Sequence, residues 1–268
     1  MIAFTKAHAY GNDFLYVPAA DLAGADPAAW ARRLCDRHRG VGADGLILYA
    51  LTERGATMTL LNADGSPSEL SGNGLRGLAA LVARDWRTAG RLTDRELVVE
   101  TTAGSKRLVL EDVSGATYLF AAEMGQPTGV VERRLEVLGE TVTATVLAVG
   151  NPQCVVLGPL PDDARFARLG PALEHHPAFP NRTNVEFAAV ESPDRVRIRI
   201  WERGVGPTES SGTGSCAAAV AAASHGGASR EVDVIAPGGT QRVRWTDAGI
   251  TLTGWAEILA DGTFCAQL

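Results

Sequence analysis

Apolar and polar residues alternate in two widely separated segments, ATMTLLNADG at 56–65 and VRIRIWERG at 196–204. A period of two predicts a β-strand that buries one face. Each segment leads through a short loop into a Gly-x-Gly turn, SGNG beginning at Ser71 and SGTG beginning at Ser211. Small and helix-forming residues follow both turns, LRGLAALVARDW after the first and SCAAAVAAASHG after the second. The pattern therefore predicts the same series twice: a strand, a glycine turn and a helix.

The spacing within the two copies is the same, which indicates an internal duplication. Nine positions separate Asn62 from Ser71, nine separate Glu202 from Ser211, and the two serines are 140 positions apart. A Gly-Asn pair near the start of the chain recurs 139 positions later. Internal repeats predict structural units of the same design. We therefore expect two similar domains that face each other across a cleft, with the paired turns meeting in it.

Composition and charge limit the class of protein. The 268 residues are 46% hydrophobic and 21% charged, as in a globular protein with a large core. The net charge of −6 argues against a nucleic-acid partner, whose site would need basic clusters. No apolar run has the length of a membrane span, and the first residues lack the apolar stretch of a signal peptide. We expect a reduced cytoplasmic protein without a metal, because no metal-binding spacing relates its four cysteines, Cys35, Cys154, Cys216 and Cys265.

A serine before glycine at the start of a helix has two interpretations. In the first, Ser71 and Ser211 are N-caps, whose oxygens accept hydrogen bonds from the first turn of each helix. In the second, the N–H groups of that turn and the positive end of the helix dipole bind a carboxylate, and glycine lets the ligand approach the backbone. The duplicated spacing favours a site, and the residues alone leave both interpretations open.

Six motifs together resemble the diaminopimelate epimerase family. They run in the family's order from about residue 8 to residue 222: HAYGNDFLYV, DRHRGVGADGLILY, NADGSPSELSGNGLRG, VGNPQCV, NRTNVEF and WERGVGPTESSGTGSCAAA. The resemblance implies an α/β (α+β) fold of two similar domains, each with a mostly antiparallel sheet wrapped round a central helix. It implies an N-terminal domain at 1–117, completed by a C-terminal strand at 257–268, and a C-terminal domain at 118–256.

The same resemblance implies a function. Members of the family interconvert LL- and meso-diaminopimelate, in lysine and cell-wall biosynthesis, by proton exchange at Cα without a cofactor. A small-molecule amino-acid substrate, no nucleic-acid or membrane partner and a cytoplasmic homodimer are implied as well. In such an enzyme one cysteine thiolate removes the α-proton and an opposite cysteine thiol returns one. Ser71 and Ser211 stand at these two catalytic positions, although the residues around them match the family.

Serine is a poor substitute for a thiolate. A cysteine has a pKa of about 8.5, which a helix N-terminus brings towards neutrality. A serine hydroxyl is roughly five pKa units harder to ionise, or ~7 kcal/mol, against ~0.3–2 kcal/mol from a helix terminus. Three explanations stay open. The serines catalyse with help from the site; the enzyme is a related isomerase or dehydratase that acts on another amino acid; or the chain is a silent amino-acid-binding paralogue or a Cys-to-Ser inactivated form.

The resemblance also implies substrate-binding residues. Arg203 would clamp the distal carboxylate with its planar fork of donors, and Glu202 would take the distal ammonium. Amides that donate and accept hydrogen bonds would come from four asparagines, Asn12, Asn62, Asn151 and Asn184. Backbone N–H groups at the two helix starts would hold the reacting carboxylate and stabilise the developing carbanion: those of Gly72, Asn73, Gly212 and Thr213.

Smaller departures from the family cluster round the reacting end. Gln153 stands where the family usually has histidine, and Gly77 replaces a frequent cysteine. Pro207 replaces a usual glutamate. Glu69 and Glu209 lie two positions before the serines and are candidate activators, although side chains two positions apart seldom face the same way. The pattern predicts altered chemistry on a similar amino acid, with the distal recognition residues kept.

Overall fold

The computed structural model describes residues 1–68, 71–91, 95–102 and 104–265. The chain divides into two compact units, one made of residues 1–122 and 254–268 and the other of residues 123–253. Both units are rich in strands and contain few helices. None of the helices within the described residues is long and apolar enough to span a membrane.

The elements of the first half of the chain alternate between strands and two longer helices. In chain order they are β1 (Ile2–Ala9), β2 (Asn12–Pro18), a 3-10 helix (Ala19–Leu22), α1 (Pro27–Cys35), β3 (Gly45–Leu51), β4 (Gly55–Asn62), β5 (Pro67–Ser68), α2 (Gly72–Thr88), β6 (Glu96–Thr101), β7 (Gly104–Ser114) and β8 (Thr117–Gly125). The second half continues with β9 (Thr128–Val137), β10 (Glu140–Ala148), β11 (Pro152–Leu157), α3 (Asp163–Glu174), β12 (Asn184–Ser192), β13 (Arg195–Glu202), β14 (Gly206–Thr208), α4 (Gly212–His225), β15 (Glu231–Ala236), β16 (Gly239–Thr246) and β17 (Gly249–Phe264).

The sheet of the first unit is mixed and mostly antiparallel. Strand β1 pairs antiparallel with β2 and with the part of β17 from residue 257 onwards. Strand β3 is parallel to β2, across the connection that contains α1, and antiparallel to β4. Strand β4 pairs with β5 and is parallel to β6, across the connection that contains α2. Strand β7 completes the order between β6 and β8.

The second unit repeats this order. Strand β12 is parallel to β11, across the connection that contains α3, and antiparallel to β13. Strand β13 pairs with β14 and is parallel to β15, across the connection that contains α4. Strands β9 and β10 extend the sheet at β11, and β16 pairs with β15 and β17. The same series of parallel and antiparallel neighbours confirms the duplication and the predicted fold class.

Helices α2 and α4 are the central elements of the two units. Each packs against several strands of its own unit, α2 against β1, β2 and β4 and α4 against β10 to β13. All residues from Cys216 to Ala222 are at most 4% exposed. A helix surrounded by strands is apolar on every side, and small alanine side chains let those strands approach closely. Cys216 packs in this core, and both helices begin directly after a serine.

Candidate active site

Ser71 is the N-cap of α2. Its backbone is extended, with φ −124° and ψ 121°, and its Oγ accepts a hydrogen bond from the Gly74 N–H at 3.1 Å. The N–H groups of Gly72 and Asn73 precede the first intrahelical hydrogen bonds, so the helix itself does not use them. Among the described residues, no atom lies within 4 Å of the position that a Cβ would take at Gly72. The approach to these N–H groups is therefore open on that side.

Asn12 and Asn73 belong to one series of polar contacts in the first unit. The Asn73 Nδ2 atom lies 3.5 Å from Asn12 Oδ1, at the outer limit of a hydrogen bond. Asn12 Nδ2 donates to Asp44 Oδ2 at 2.8 Å. Arg76, which is 1% exposed, donates from Nη1 to Asn73 Oδ1 at 2.9 Å. Charged neighbours thus orient both amides, and the structure brings these two predicted residues together at the start of α2.

Asn62 does not join this series. It ends β4, and its Nδ2 donates to Ser66 Oγ at 2.9 Å within the following turn. Its side chain is exposed and accessible to a ligand, and within the described residues it forms no side-chain hydrogen bond with the other predicted binding residues. Glu69, one of the two candidate activators, lies outside the described residues.

Ser211 is the N-cap of α4 in the same geometry. Its backbone has φ −140° and ψ 123°, and its Oγ accepts a hydrogen bond from the Gly214 N–H at 3.2 Å. The side chain is only 7% exposed. Both serines are therefore N-caps, as the simpler interpretation predicts. The cap uses only the third N–H of each helix, so the N–H groups of Gly212 and Thr213 precede the helical hydrogen bonds as well.

Glu202 lies beside Ser211. Burial raises the pKa of Glu202, and the nearby hydroxyl groups of Ser211 and Thr208 lower it in part. Thr208 Oγ1 is buried and forms no hydrogen bond of ordinary geometry within the described residues, so its contact with Glu202 is loose. Ser211 accepts from Gly214, which leaves its hydroxyl hydrogen available to the Glu202 carboxylate. Glu209, the candidate activator two positions before Ser211, is exposed.

A second carboxyl group, Glu186 on β12, lies behind this turn. It is 0% exposed, and a Cβ at Gly214 would lie 2.6 Å from its Oε1. Burial raises the pKa of Glu186 well above its ordinary value, and the Glu202 carboxylate adds to the shift. Two neighbouring carboxyl groups do not ionise together easily, because their negative charges repel each other. Sequence reasoning missed Glu186, although a charged residue inside the apolar motif NVEF was a signal that could have identified it.

Asn184 and Arg203 are joined directly. Asn184 Oδ1 accepts a hydrogen bond from the Arg203 backbone N–H at 2.9 Å, and its Nδ2 donates to the Pro152 carbonyl oxygen at 3.1 Å. The Arg203 side chain is exposed, and its Nη1 donates to the Asn181 carbonyl oxygen at 3.3 Å. A guanidinium group has five N–H donors, so most of them remain for a ligand.

Gln153 and Asn151 form a second amide pair beside Asn184. Gln153 Nε2 donates to Asn151 Oδ1 at 2.6 Å, and Gln153 is 0% exposed. The parallel register of β11 and β12 places Gln153 opposite Asn184. An amide donates and accepts hydrogen bonds as an imidazole does, but it does not titrate near neutral pH. Gln153 therefore orients Asn151 through a hydrogen bond but cannot act as an acid or a base.

Tyr16 is a residue that the sequence analysis did not single out. Its hydroxyl group, buried beneath the first turn of α2, donates to the Gly74 carbonyl oxygen at 3.0 Å. A Cβ at Gly77 would lie 2.0 Å from Tyr16 Oη. The absence of a side chain at Gly77, where the resemblance implies a frequent cysteine, therefore makes room for this hydroxyl. A tyrosine within an apolar strand is predicted to be a core residue, so the sequence carries no signal for its hydrogen bond to Gly74.

Each turn offers the same small set of chemical groups. Ser71 belongs to the first unit and Ser211 to the second. Hydroxyl, amide and helix-start N–H groups occur at both turns, and a buried carboxylate lies at the second. In the parts of the chain that the structure describes, no group of three His, Cys, Asp or Glu side chains is placed to hold a metal ion.

Comparison with known proteins agrees with this geometry. A sequence model described as diaminopimelate epimerase matches residues 4–130 and 145–259. A diaminopimelate epimerase of Desulforudis audaxviator is 43% identical over 282 residues, covering 97% of this chain and 98% of the relative. One of Moorella thermoacetica is 40% identical over 280 residues, with 97% and 98% covered. A solved structure described as a predicted epimerase of Pseudomonas aeruginosa has a TM-score of 0.72 at 16% identity, with 100% of both chains covered.

The likeness to the solved structure shows the fold. The family match and the named relatives identify the chain as an isomerase. The extent of the family match and the identity to its members place the chain more narrowly. It belongs to the diaminopimelate epimerase family.

Proposed function

We propose that the protein interconverts LL- and meso-diaminopimelate by exchanging the proton at Cα, without a cofactor. Relatives that are about 40% identical over nearly their whole length are named diaminopimelate epimerase. The observation that supports proton exchange by this particular chain is the hydroxyl group of Ser211 beside the half-buried carboxylate of Glu202. It supplies an acceptor for the serine proton, which an isolated serine would lack.

The two helix starts would bind the carboxylate of the reacting amino acid. The N–H groups of Gly72, Asn73 and Gly212 are not used by their own helices, and the positive end of each helix dipole favours an anion. When the α-proton leaves, negative charge spreads onto the same carboxylate. Donors that are already in place stabilise this charge without reorganisation. On the family resemblance, we propose that Ser71 and Ser211 both take part in the proton exchange at Cα.

The proton transfer then balances as follows. The Cα–H bond breaks with its electron pair left on Cα, and the proton passes to Ser211 Oγ while the serine's own proton passes to the Glu202 carboxylate. A new Cα–H bond forms on the other face with the hydroxyl proton of Ser71, which takes a proton from water in the same step. The hydroxide that remains is neutralised by the proton that Glu202 releases, so the carboxylate and both serine hydroxyl groups are restored. The concerted transfer avoids a free serine alkoxide, whose formation costs ~7 kcal/mol more than that of a thiolate. General bases of this kind contribute roughly 10²–10⁴-fold to a rate.

Recognition of the distal end would use Arg203 and Asn184. The Arg203 guanidinium is exposed and most of its donors remain for a carboxylate, with which a planar fork forms bidentate contacts. The resemblance assigns the distal ammonium to Glu202. Its place beside Ser211 favours a role at the reacting end instead, and the variants described in the Discussion separate the two roles.

Exchange of the α-proton in D₂O, followed by NMR on LL-diaminopimelate, tests the proposal. We expect loss of the Cα–H signal together with formation of the meso isomer. Loss of the signal without epimerisation would mean that only one serine acts. No exchange on diaminopimelate, with exchange or elimination on another amino acid, would overturn the substrate and favour the related isomerase or dehydratase. Binding without any exchange would identify a silent paralogue.

The biological setting follows from the proposed reaction. An enzyme of this activity acts in lysine biosynthesis, and we propose a cytoplasmic location and a homodimer on the family resemblance alone. Sedimentation equilibrium of the full chain tests the dimer, since a single species with the monomer mass of 28.1 kDa would contradict it.

A further inference from the structure

Glu174, the last residue of α3, is a buried carboxylate that the proposed chemistry does not use. It is 3% exposed. A glutamate is almost never fully buried unless its charge is paired and hydrogen-bonded, because removal from water is costly. What its carboxylate binds therefore indicates what the residue does.

The partners of Glu174 come from three separate segments. Its Oε2 accepts a hydrogen bond from Trp201 Nε1 at 2.8 Å, and its Oε1 accepts one from the Gly204 backbone N–H at 2.8 Å. Arg182 Nη1 donates to the same Oε1 at 3.2 Å, while His175 Nδ1 lies 3.8 Å from Oε2. Burial by itself raises the pKa of Glu174, but the hydrogen bonds from Trp201 and Gly204 and the charges of His175 and Arg182 together outweigh it, so the pKa lies below its ordinary value.

Two of these partners flank the predicted recognition residues. Trp201 directly precedes Glu202, and Gly204 directly follows Arg203. The chain turns sharply here, since Gly204 has φ 77° and the Val205 N–H bonds the Glu202 carbonyl oxygen at 3.1 Å. Hydrogen bonds to an ionised carboxylate are stronger than those between neutral groups. Glu174 therefore holds both sides of the turn that carries Glu202 and Arg203.

We propose that Glu174 is a positioning residue for substrate recognition: through Trp201 and Gly204 it sets the backbone path from which Arg203 reaches the distal carboxylate. The Asn184 side chain holds the Arg203 N–H at 2.9 Å, so the turn is fixed from two directions. This inference depends on the proposed role of Arg203 and adds a residue that touches no substrate.

The variant Glu174→Gln tests the inference with little change of shape. A glutamine has one acceptor oxygen and one NH₂ group, so either Trp201 or Gly204 would face a donor in place of an acceptor. Calorimetry and NMR titration would measure Kd for LL-diaminopimelate and for L-lysine, which lacks only the distal carboxylate. We expect Glu174→Gln to weaken diaminopimelate binding about tenfold or more and to leave lysine binding within about twofold.

A matched control is Glu140→Gln. Glu140 also pairs with α3, through Arg165 at 2.8 Å, and within the described residues none of its side-chain ion pairs or hydrogen bonds involves the turn at Glu202 and Arg203. Both affinities should stay within about twofold of the parent, since exposed pairs contribute little. If Glu174→Gln does not fold, Trp201→Phe removes one of the same hydrogen bonds and should weaken diaminopimelate binding about threefold or more, again without an effect on lysine.

Arg203→Ala separates failure of the inference from failure of the proposed function. If Glu174→Gln weakened the binding of diaminopimelate and of lysine equally, Glu174 would have a general structural role and the inference would be wrong. The inference would also fall if Arg203→Ala weakened diaminopimelate binding while Glu174→Gln and Trp201→Phe did not. If Arg203→Ala itself had no effect, the proposed carboxylate clamp would be wrong and the role of Glu174 with it.

Discussion

The hydroxyl group of Ser211 lies beside the half-buried carboxylate of Glu202, a residue nine positions earlier in the chain. The same oxygen accepts a hydrogen bond from the Gly214 N–H, so the serine is both a helix cap and a neighbour of a base. Contacts of this kind are often long without substrate and shorten when it binds. The pair addresses the main difficulty of the sequence, two serines at positions where the family uses cysteines.

Glu202→Gln should lower the rate of α-proton exchange about 10²-fold or more, because an amide cannot accept the proton of Ser211. Burial raises the pKa of Glu202 above its ordinary value, and only the ionised form is a base. The parent rate should therefore rise with pH through this elevated pKa, and the variant should lack that rise. NMR rates in D₂O across a pH series give both results. Glu209→Gln is the control: Glu209 is exposed, so this variant should leave the exchange rate unchanged. If Glu202→Gln also left the rate unchanged, Glu202 would bind the distal ammonium, as the resemblance implies.

The double variant Ser71→Cys with Ser211→Cys should exchange the α-proton faster than the parent at neutral pH. A thiol ionises near pH 8.5 and lower at a helix start, whereas a hydroxyl does not ionise there. Either single variant should gain less, because one competent group is needed on each face of the carbanion and the pair acts as a unit. NMR-detected loss of the Cα–H signal in all four proteins makes the comparison. A double variant that is silent on every diamino acid tried would contradict the diaminopimelate assignment.

Arg203→Ala should weaken binding of LL-diaminopimelate by about 2–3 kcal/mol, because a bidentate charged contact is lost. Arg203→Lys should lie between the parent and Arg203→Ala, since an ammonium group keeps the charge but not the planar fork. Calorimetry at two salt concentrations would measure the affinities. Parent-like binding by both variants would mean that another group reads the distal carboxylate.

Gly77→Ala should destabilise the protein by about 3 kcal/mol, because an added Cβ would lie 2.0 Å from the buried Tyr16 hydroxyl. Gly72→Ala, on the same helix, is the matched control. No described atom lies within 4 Å of its Cβ position, so it should be neutral or stabilise by up to ~1 kcal/mol. Urea unfolding of the two variants makes the comparison. Equal stability would show that Tyr16 moves aside without cost.

Glu186→Gln should change how stability depends on pH. Burial and the nearby Glu202 raise the folded-state pKa of Glu186 above its unfolded value of about 4.3, so the unfolded chain loses this proton first. Its contribution to stability is therefore largest below that unfolded value and falls as pH rises towards the folded-state pKa. Glutamine does not titrate, so Glu186→Gln lacks this loss of stability. The free energy of unfolding of the variant, relative to that of the parent, should therefore be higher at pH 8 than at pH 5.5. Urea unfolding at both pH values tests this; an identical difference at each would contradict it.

The duplicated strand, turn and helix, with a serine at each helix start, were determined by the sequence alone. Capping depends on residues within three positions of one another, as Ser71 with Gly74 and Ser211 with Gly214 show. The apolar alternation of β4 and β13 is equally local, so the elements and their order could be predicted before any packing was known.

Only the tertiary structure decided which carboxylate meets Ser211. Glu209 is nearer in sequence but exposed, whereas antiparallel pairing of β13 with β14 places Glu202 opposite Gly206 and returns the chain towards the start of α4. In the same way Tyr16 reaches the Gly74 carbonyl oxygen across 58 positions. Such contacts depend on how strands pair and which face each helix buries. A side chain's neighbours in sequence do not carry that information, because burial and pairing are properties of the assembled sheet.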